Sequence, residues 1–187
     1  METSRFEQQM RFLVEIDQMK NVLRQTLLAD GSRRESDAEH SWHLAMYAML
    51  LSEYAPEPVD VSRVIRMVLV HDLIEIYAGD TFCYDKEGNR DKAAREAAAA
   101  DQLYALLPAD QAGEYRALWE EFDRMDTPDS RFAAALDRVQ PIINNYLTEG
   151  HTWKLGHVTS AQVYERMAPV KNGLPEAWKV VEWIINT

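Results

Sequence analysis

The feature that most constrains this chain is the spacing of its apolar residues. They recur at steps of three and four, while alternating β-branched runs are nearly absent. Phe12, Ile16, Met19, Leu23 and Leu27 form one such stripe, which predicts an amphipathic first helix running to about Leu28. Asp30-Gly31 stops it and a loop at 32–35 follows. Ser36-Asp37-Ala38-Glu39 is a capping-box sequence, in which the serine accepts from the N–H three residues on and the glutamate reaches back. It predicts a second helix reaching Tyr54, beyond which Pro56 and Pro58 break the chain. Asp60 caps a third, carrying Val64, Ile65, Val68 and Leu69 to an end near Ala78-Gly79. A loop is expected over 80–89, then helices at roughly 91–107, 109–125 and 129–149, separated by Pro108 and Thr127-Pro128. After Gly150, a polar loop leads to short helices near 159–167 and 174–185. The expected fold class is all-α.

Bulk properties narrow the function. The chain has 187 residues and is 47% hydrophobic, enough for one domain with a substantial core. Cys83 is its only cysteine, so no disulfide can form within the chain, and a reducing, cytoplasmic location is expected. The opening METSRFEQQMRF carries charges and no uninterrupted apolar core, unlike a signal peptide. No stretch has the roughly 18 apolar residues of a spanning helix, so no membrane partner is expected. A net charge of −11 argues against nucleic-acid polymers as partners, because these require a basic face. It leaves room for a small phosphorylated substrate, since clustered carboxylates can hold a divalent cation that becomes the largest local positive charge.

The segment His71-Asp72-Leu73-Ile74-Glu75 is the richest in chemistry. On a helix, Glu75 follows His71 by four residues and Asp72 by three, so the three groups lie near one face. Burying them singly is costly, and a shared cation offsets that cost. Imidazole and carboxylate suit Zn, Mn, Fe or Co. Taken alone, the segment is equally readable as a solvated helix end. His40 stands where the second helix turns apolar, with His43 one turn later, a spacing that can bind metal but is weak evidence by itself. Asp137 lies among Phe132, Ala133, Leu136 and Val139, either as a ligand or as an exposed acid paired with Arg138 or Arg131. Pro141 cannot donate to its carbonyl, so a bend beside it is expected.

Together, a histidine, a His-Asp pair and a distant aspartate resemble the HD-domain superfamily of metal-dependent phosphohydrolases. Glu35-Ser36-Asp37-Ala38-Glu39-His40-Ser41, His71-Asp72-Leu73-Ile74-Glu75 and Ala78-Gly79-Asp80 resemble successive motifs of its 5′-deoxynucleotidase branch. So do Leu118-Trp119-Glu120-Glu121-Phe122 and Phe132-Ala133-Ala134-Ala135-Leu136-Asp137-Arg138. The resemblance covers roughly 10–148. It implies one HD domain over 1–187, with 149–187 as a helical extension.

By the same resemblance, one divalent ion (Co, Mn, Zn, Fe or Mg) is held by His40, His71, Asp72 and Asp137. Glu75 is implied as the acid/base, and Asp80 as a residue on the nucleoside or leaving-group side. Arg24 is implied as the phosphate-binding arginine, with Arg33 and Arg34 as rivals. The implied partner is a nucleoside 5′-monophosphate, deoxy or ribo, and the implied assembly a homodimer, with which the apolar stripe of Trp178, Val181, Ile184 and Ile185 is compatible.

Two departures bear on substrate. Relatives carry a bulky aromatic after the phosphate-binding arginine, which helps exclude a 2′-hydroxyl, whereas Gln25 stands here. The loop Thr81-Phe82-Cys83-Tyr84-Asp85 lacks the usual proline, and its Phe82 or Tyr84 is either a base-stacking group or a packing lid. Two other readings remain: a non-catalytic nucleotide-binding HD protein, and a di-iron oxygenase of the same fold. The latter needs extra histidines between 73 and 136, where this sequence has none.

Overall fold

The computed structural model describes residues 3–187 and is helical throughout, apart from one small hairpin. The helices are α1 (Arg5–Glu15), α2 (Asp37–Leu51), α3 (Val61–Val70), α4 (Glu75–Ala78), α5 (Lys92–Tyr104), α6 (Ala109–Arg124), α7 (Pro128–Leu147), α8 (His151–Leu155), α9 (Ser160–Met167), α10 (Val170–Gly173) and α11 (Pro175–Asn186). The strands are β1 (Leu23–Leu27) and β2 (Arg34–Ser36), paired antiparallel. Among the described residues, no helix is long and apolar enough to cross a membrane.

The all-α expectation holds, and the signals behind it act locally. Ser36 and Thr127 each close a capping box at the start of α2 and α7, and Asp60 accepts from the Arg63 N–H to start α3. Pro128 occupies the first turn of α7, where its missing N–H costs nothing.

The expected first helix is corrected. It ends at Glu15, passes through a 3-10 stretch at Ile16–Asn21 and becomes β1. A four-residue step between apolar residues fits a helix and also two strand repeats, so Met19, Leu23 and Leu27 did not distinguish them. In β1, Arg24 and Thr26 turn inward while Leu23 is exposed. Gly31, at φ +71, turns the chain back into β2.

The second helix stops at Leu51 and finishes as 3-10 to Tyr54. The third is interrupted: 71–74 form turns between α3 and α4. The Leu73, Glu75 and Ile76 N–H groups there bond three residues back, to the carbonyls of Val70, Asp72 and Leu73. The polar loop after Gly150 contains α8, and α10 is a further short helix before α11. By contrast, α7 runs unbroken through Pro141.

Helix α7 is the centre of the molecule. It contacts α2, α3, α6, α8, α9, α10, α11 and β1, and Phe132 and Leu136 are fully buried. Burying such a side chain contributes roughly 1.5–3 kcal/mol. Its Ala133-Ala134-Ala135 run allows close approach: a Cβ built on Gly173 of α10 would lie 2.1 Å from the Arg131 carbonyl oxygen and 2.7 Å from the Ala135 Cβ. The central helix thus carries Asp137 and Gln140 within a tightly packed frame.

Candidate metal centre and active-site cavity

Four elements bring ionisable groups to one cavity of about 190 Å³. β1 supplies Arg24; the turn after α3 supplies His71 and Asp72; α4 supplies Glu75; and α7 supplies Asp137. His40, on the first turn of α2, is fully buried behind them. Ligand atoms of His40, His71 and Asp72 all lie within 4.8 Å of one another. Asp137 Oδ1 is 3.1 Å from His40 Nε2 and 3.6 Å from His71 Nε2.

The orientation of His40 follows from its neighbours. Gln140, three residues after Asp137 on α7, donates its amide N–H to Glu35 Oε1 at 2.8 Å. Its carbonyl end therefore faces His40 Nδ1, 3.0 Å away, and makes that nitrogen the donor. Burial, and then the charge of Arg24, lowers the His40 pKa to about 4, so the ring is neutral. Its Nε2 lone pair then faces the Asp137 carboxylate, which also only accepts. Two acceptors facing each other at that distance would be satisfied by a shared cation.

His71 repeats the pattern. Its Nδ1 lies 2.8 Å from the Val68 carbonyl and donates to it, which turns Nε2 into the cavity. That nitrogen is buried without a hydrogen-bond partner, although Asp72 Oδ2 is only 3.0 Å away. Burial opposes charge on the ring, but Asp72 and Asp137 outweigh it and raise the His71 pKa to about 10. The position thus strongly favours a cation, and the donor set of two imidazoles and two carboxylates suits a divalent transition ion. In both rings Nδ1 is tied to an oxygen outside the acid cluster and Nε2 is turned towards the carboxylates, the orientation that metal-binding histidines generally require.

The carboxylates form a second cluster. Oxygens of Asp37, Asp72 and Glu75 lie within 4.8 Å of one another. Asp37, fully buried at the start of α2, is raised to about 7 by burial and then by Asp72, with Arg24 opposing. Glu75 is raised well above the usual carboxylate range by burial, then by Asp72, Asp37 and Asp80. Its Oε2 has no partner. Arg24 is committed among these acids, with Nη1 2.8 Å from Asp72 Oδ2 and 3.2 Å from Asp37 Oδ1. Gly79, at φ +75, ends α4 and is followed by Asp80 in the cavity lining.

Other sequence candidates lie elsewhere. Arg33 is 54% exposed and paired with Glu39, outside the cavity. Arg34 bonds the Arg24 carbonyl and braces the hairpin. Trp42 is exposed and stacked on His43, while Phe82 and Tyr84 do line the cavity and meet edge to face. Gln25 also contributes to the lining.

Sequence reasoning gave no role to Asp37, Glu35 or Gln140. Asp37 reads as an ordinary acid in a helix's first turn. Glu35 stood inside a quoted motif, and Gln140 had a usable signal, one turn after Asp137 on the same face.

The chain belongs to the HD-domain family, which matches residues 16–178 and so extends well past the expected core motifs. The human protein named 5′-deoxynucleotidase HDDC2 is 30% identical over 135 residues, covering 72% of this chain, and the chain spans 65% of the length of that relative. A Schizosaccharomyces pombe protein named 5′-deoxynucleotidase hdd1 is 26% identical, covering 70% of this chain and 67% of its own. A solved structure from Magnetospirillum magnetotacticum MS-1, named a predicted metal-dependent phosphohydrolase, superposes with a TM-score of 0.93 at 51% identity. It covers 98% of this chain and 92% of its own. A conserved hypothetical protein from Pyrococcus furiosus shares the fold, with a TM-score of 0.70 at 22% identity over 95% of this chain and 99% of its own.

Proposed function

We propose that this protein is a metal-dependent phosphomonoesterase that hydrolyses nucleoside 5′-monophosphates to nucleoside and phosphate. The observation that carries the reading is the buried, unpartnered Nε2 of His71, facing Asp72 and Asp137 beside the Nε2 of His40. His40, His71, Asp72 and Asp137 would hold the ion. When bound, a divalent ion neutralises phosphoryl charge and makes water more acidic.

The chain's own groups supply the proton transfers. Glu75, in its carboxylate form, takes a proton from the attacking water as the O–P bond forms, and burial and neighbouring acids raise its affinity for that proton. It returns that proton to the leaving 5′-oxygen as the old P–O bond breaks, so charge and atoms balance. Asp80, likewise raised by burial, lies on the leaving-group side. Arg24 holds Asp72 and Asp37 in place, and the aromatic wall of Phe82, Tyr84 and Trp119 limits water. The human and yeast relatives named 5′-deoxynucleotidase support a nucleotide as the substrate.

The test is phosphate release from a panel of 5′- and 3′-monophosphates, di- and triphosphates and sugar phosphates, with Co, Mn, Zn and Mg each supplied. Nucleoside 5′-monophosphates should lead, with weak discrimination between ribose and deoxyribose because Gln25 replaces the bulky aromatic. Preference for triphosphates or for non-nucleotide phosphates would remove the nucleotidase reading. Absence of turnover with every metal, while nucleotide still binds, would favour a nucleotide-binding protein.

A further inference from the structure

In the site as described, Arg24 is held through Nη1 by Asp37 and Asp72, and its buried Nε lacks a partner. A different pair stands open. Arg138 follows Asp137 on α7, and Arg166 comes from α9; both line the cavity. The Arg138 side chain is only 9% exposed, yet its Nε is buried without any hydrogen-bond partner. One of its terminal nitrogens is spent on the Ala134 carbonyl, 2.7 Å away. Arg166 approaches Asp137 Oδ2 at 3.4 Å, and Arg138 approaches the same oxygen at 3.8 Å.

The charge count is unbalanced. Two guanidinium groups face one carboxylate oxygen, and the other oxygen of Asp137 is turned towards the histidines. Asp123, the next acid in the cavity lining, is exposed. Leaving a buried guanidinium N–H unsatisfied is costly, so such groups are found where an anion completes them. Planar guanidinium forks match phosphate oxygens better than any other side chain.

We infer that Arg138 and Arg166 bind the non-bridging oxygens of the substrate's phosphate, on the Oδ2 side of Asp137. This rests on the phosphomonoesterase reading for the identity of the substrate but not for the anion site itself. It gives the C-terminal helices a direct part in recognition, since Arg166 lies beyond the motif-bearing stretch. The phosphate then meets two arginines beside Asp137, while Arg24 orders the acids.

The metal-loaded protein should be titrated with inorganic phosphate by calorimetry, alongside Arg166→Gln, Arg166→Lys and Arg138→Gln. Arg166 is 38% exposed, so its variants should fold even if Arg138→Gln does not. Arg166→Gln should weaken phosphate binding roughly tenfold or more, the loss expected for a charge-assisted hydrogen bond, and Arg166→Lys should recover part of it. With a turned-over substrate, KM should rise more than kcat falls, at unchanged metal content. Unaltered phosphate affinity in folded Arg166→Gln would overturn the inference while leaving the enzyme reading intact. If no nucleotide is hydrolysed but phosphate binding still depends on Arg166, the enzyme reading fails and the anion site stands.

Discussion

The α3–α4 junction and α7 both present proposed metal ligands to the same cavity, by opposite means. At the junction, the helix tightens to three-residue hydrogen bonding over 71–76, which stacks Glu75 over Asp72 and folds His71 back onto the Val68 carbonyl. In α7 the helix never breaks, even at Pro141, and ordinary helical periodicity places Asp137 and Gln140 on one face. The junction concentrates ionisable groups whose charges disturb one another. The central helix supplies one proposed ligand, Asp137, and Gln140, which orients the His40 ring. The comparison teaches that ionisable groups crowd together where the backbone is altered, while regular helix adds single groups at fixed spacing, Asp137 and, one turn on, Gln140.

The comparison breaks first at the ligands. His71→Ala or Asp137→Ala should abolish tight metal binding, read by elemental analysis of protein purified without chelator, and turnover with it. Full occupancy in the double variant would place the ion elsewhere. Glu75→Gln should next separate the junction's chemistry from its binding: metal stays and turnover falls by roughly 10²–10⁴. Wild-type rates there would end its acid/base role. On the α7 side, Gln140→Leu should leave all four ligands in place but free the His40 ring, costing about 10–100-fold in metal affinity. An unchanged affinity would show that Gln140 does not orient the ring.

The smallest effect tests the frame alone. Gly173→Ala forces a methyl against the Arg131 carbonyl and should destabilise by about 1–3 kcal/mol, measured by denaturant unfolding, with metal stoichiometry unaltered. Neutral behaviour would mean that α10 can shift without disturbing α7.

Much of this was legible from residues alone. The capping box at Ser36 is a local, nearest-neighbour signal that marked the start of α2 correctly, and Thr127-Pro128 marked the break before α7. The grouping of His40, His71, Asp72 and Asp137 was suggested by motif order, since no spacing within one helix relates residues so far apart. What stayed hidden depends on tertiary context. Leu23 and Leu27 satisfied two periodicities at once, and the chain forms a hairpin that turns Arg24 inward onto Asp37 and Asp72. Arg24 was expected to hold phosphate; three acids converging from separate elements cannot be seen in a one-dimensional pattern. Arg33 and Arg24 look alike on paper, yet one is exposed and the other is enclosed.

The position of α8 and α9 has a consequence for how such proteins diversify. Thr152, Trp153, Val163, Arg166 and Met167 line the cavity, yet all follow Asp137, the last of the proposed ligands, in the chain. The chemistry and much of the shape that a ligand meets are therefore written on separate, consecutive stretches. Exchanging the later stretch between relatives should recast what is accepted while the inherited ion chemistry stays fixed, so this segment is a natural unit for grafting and for selection experiments.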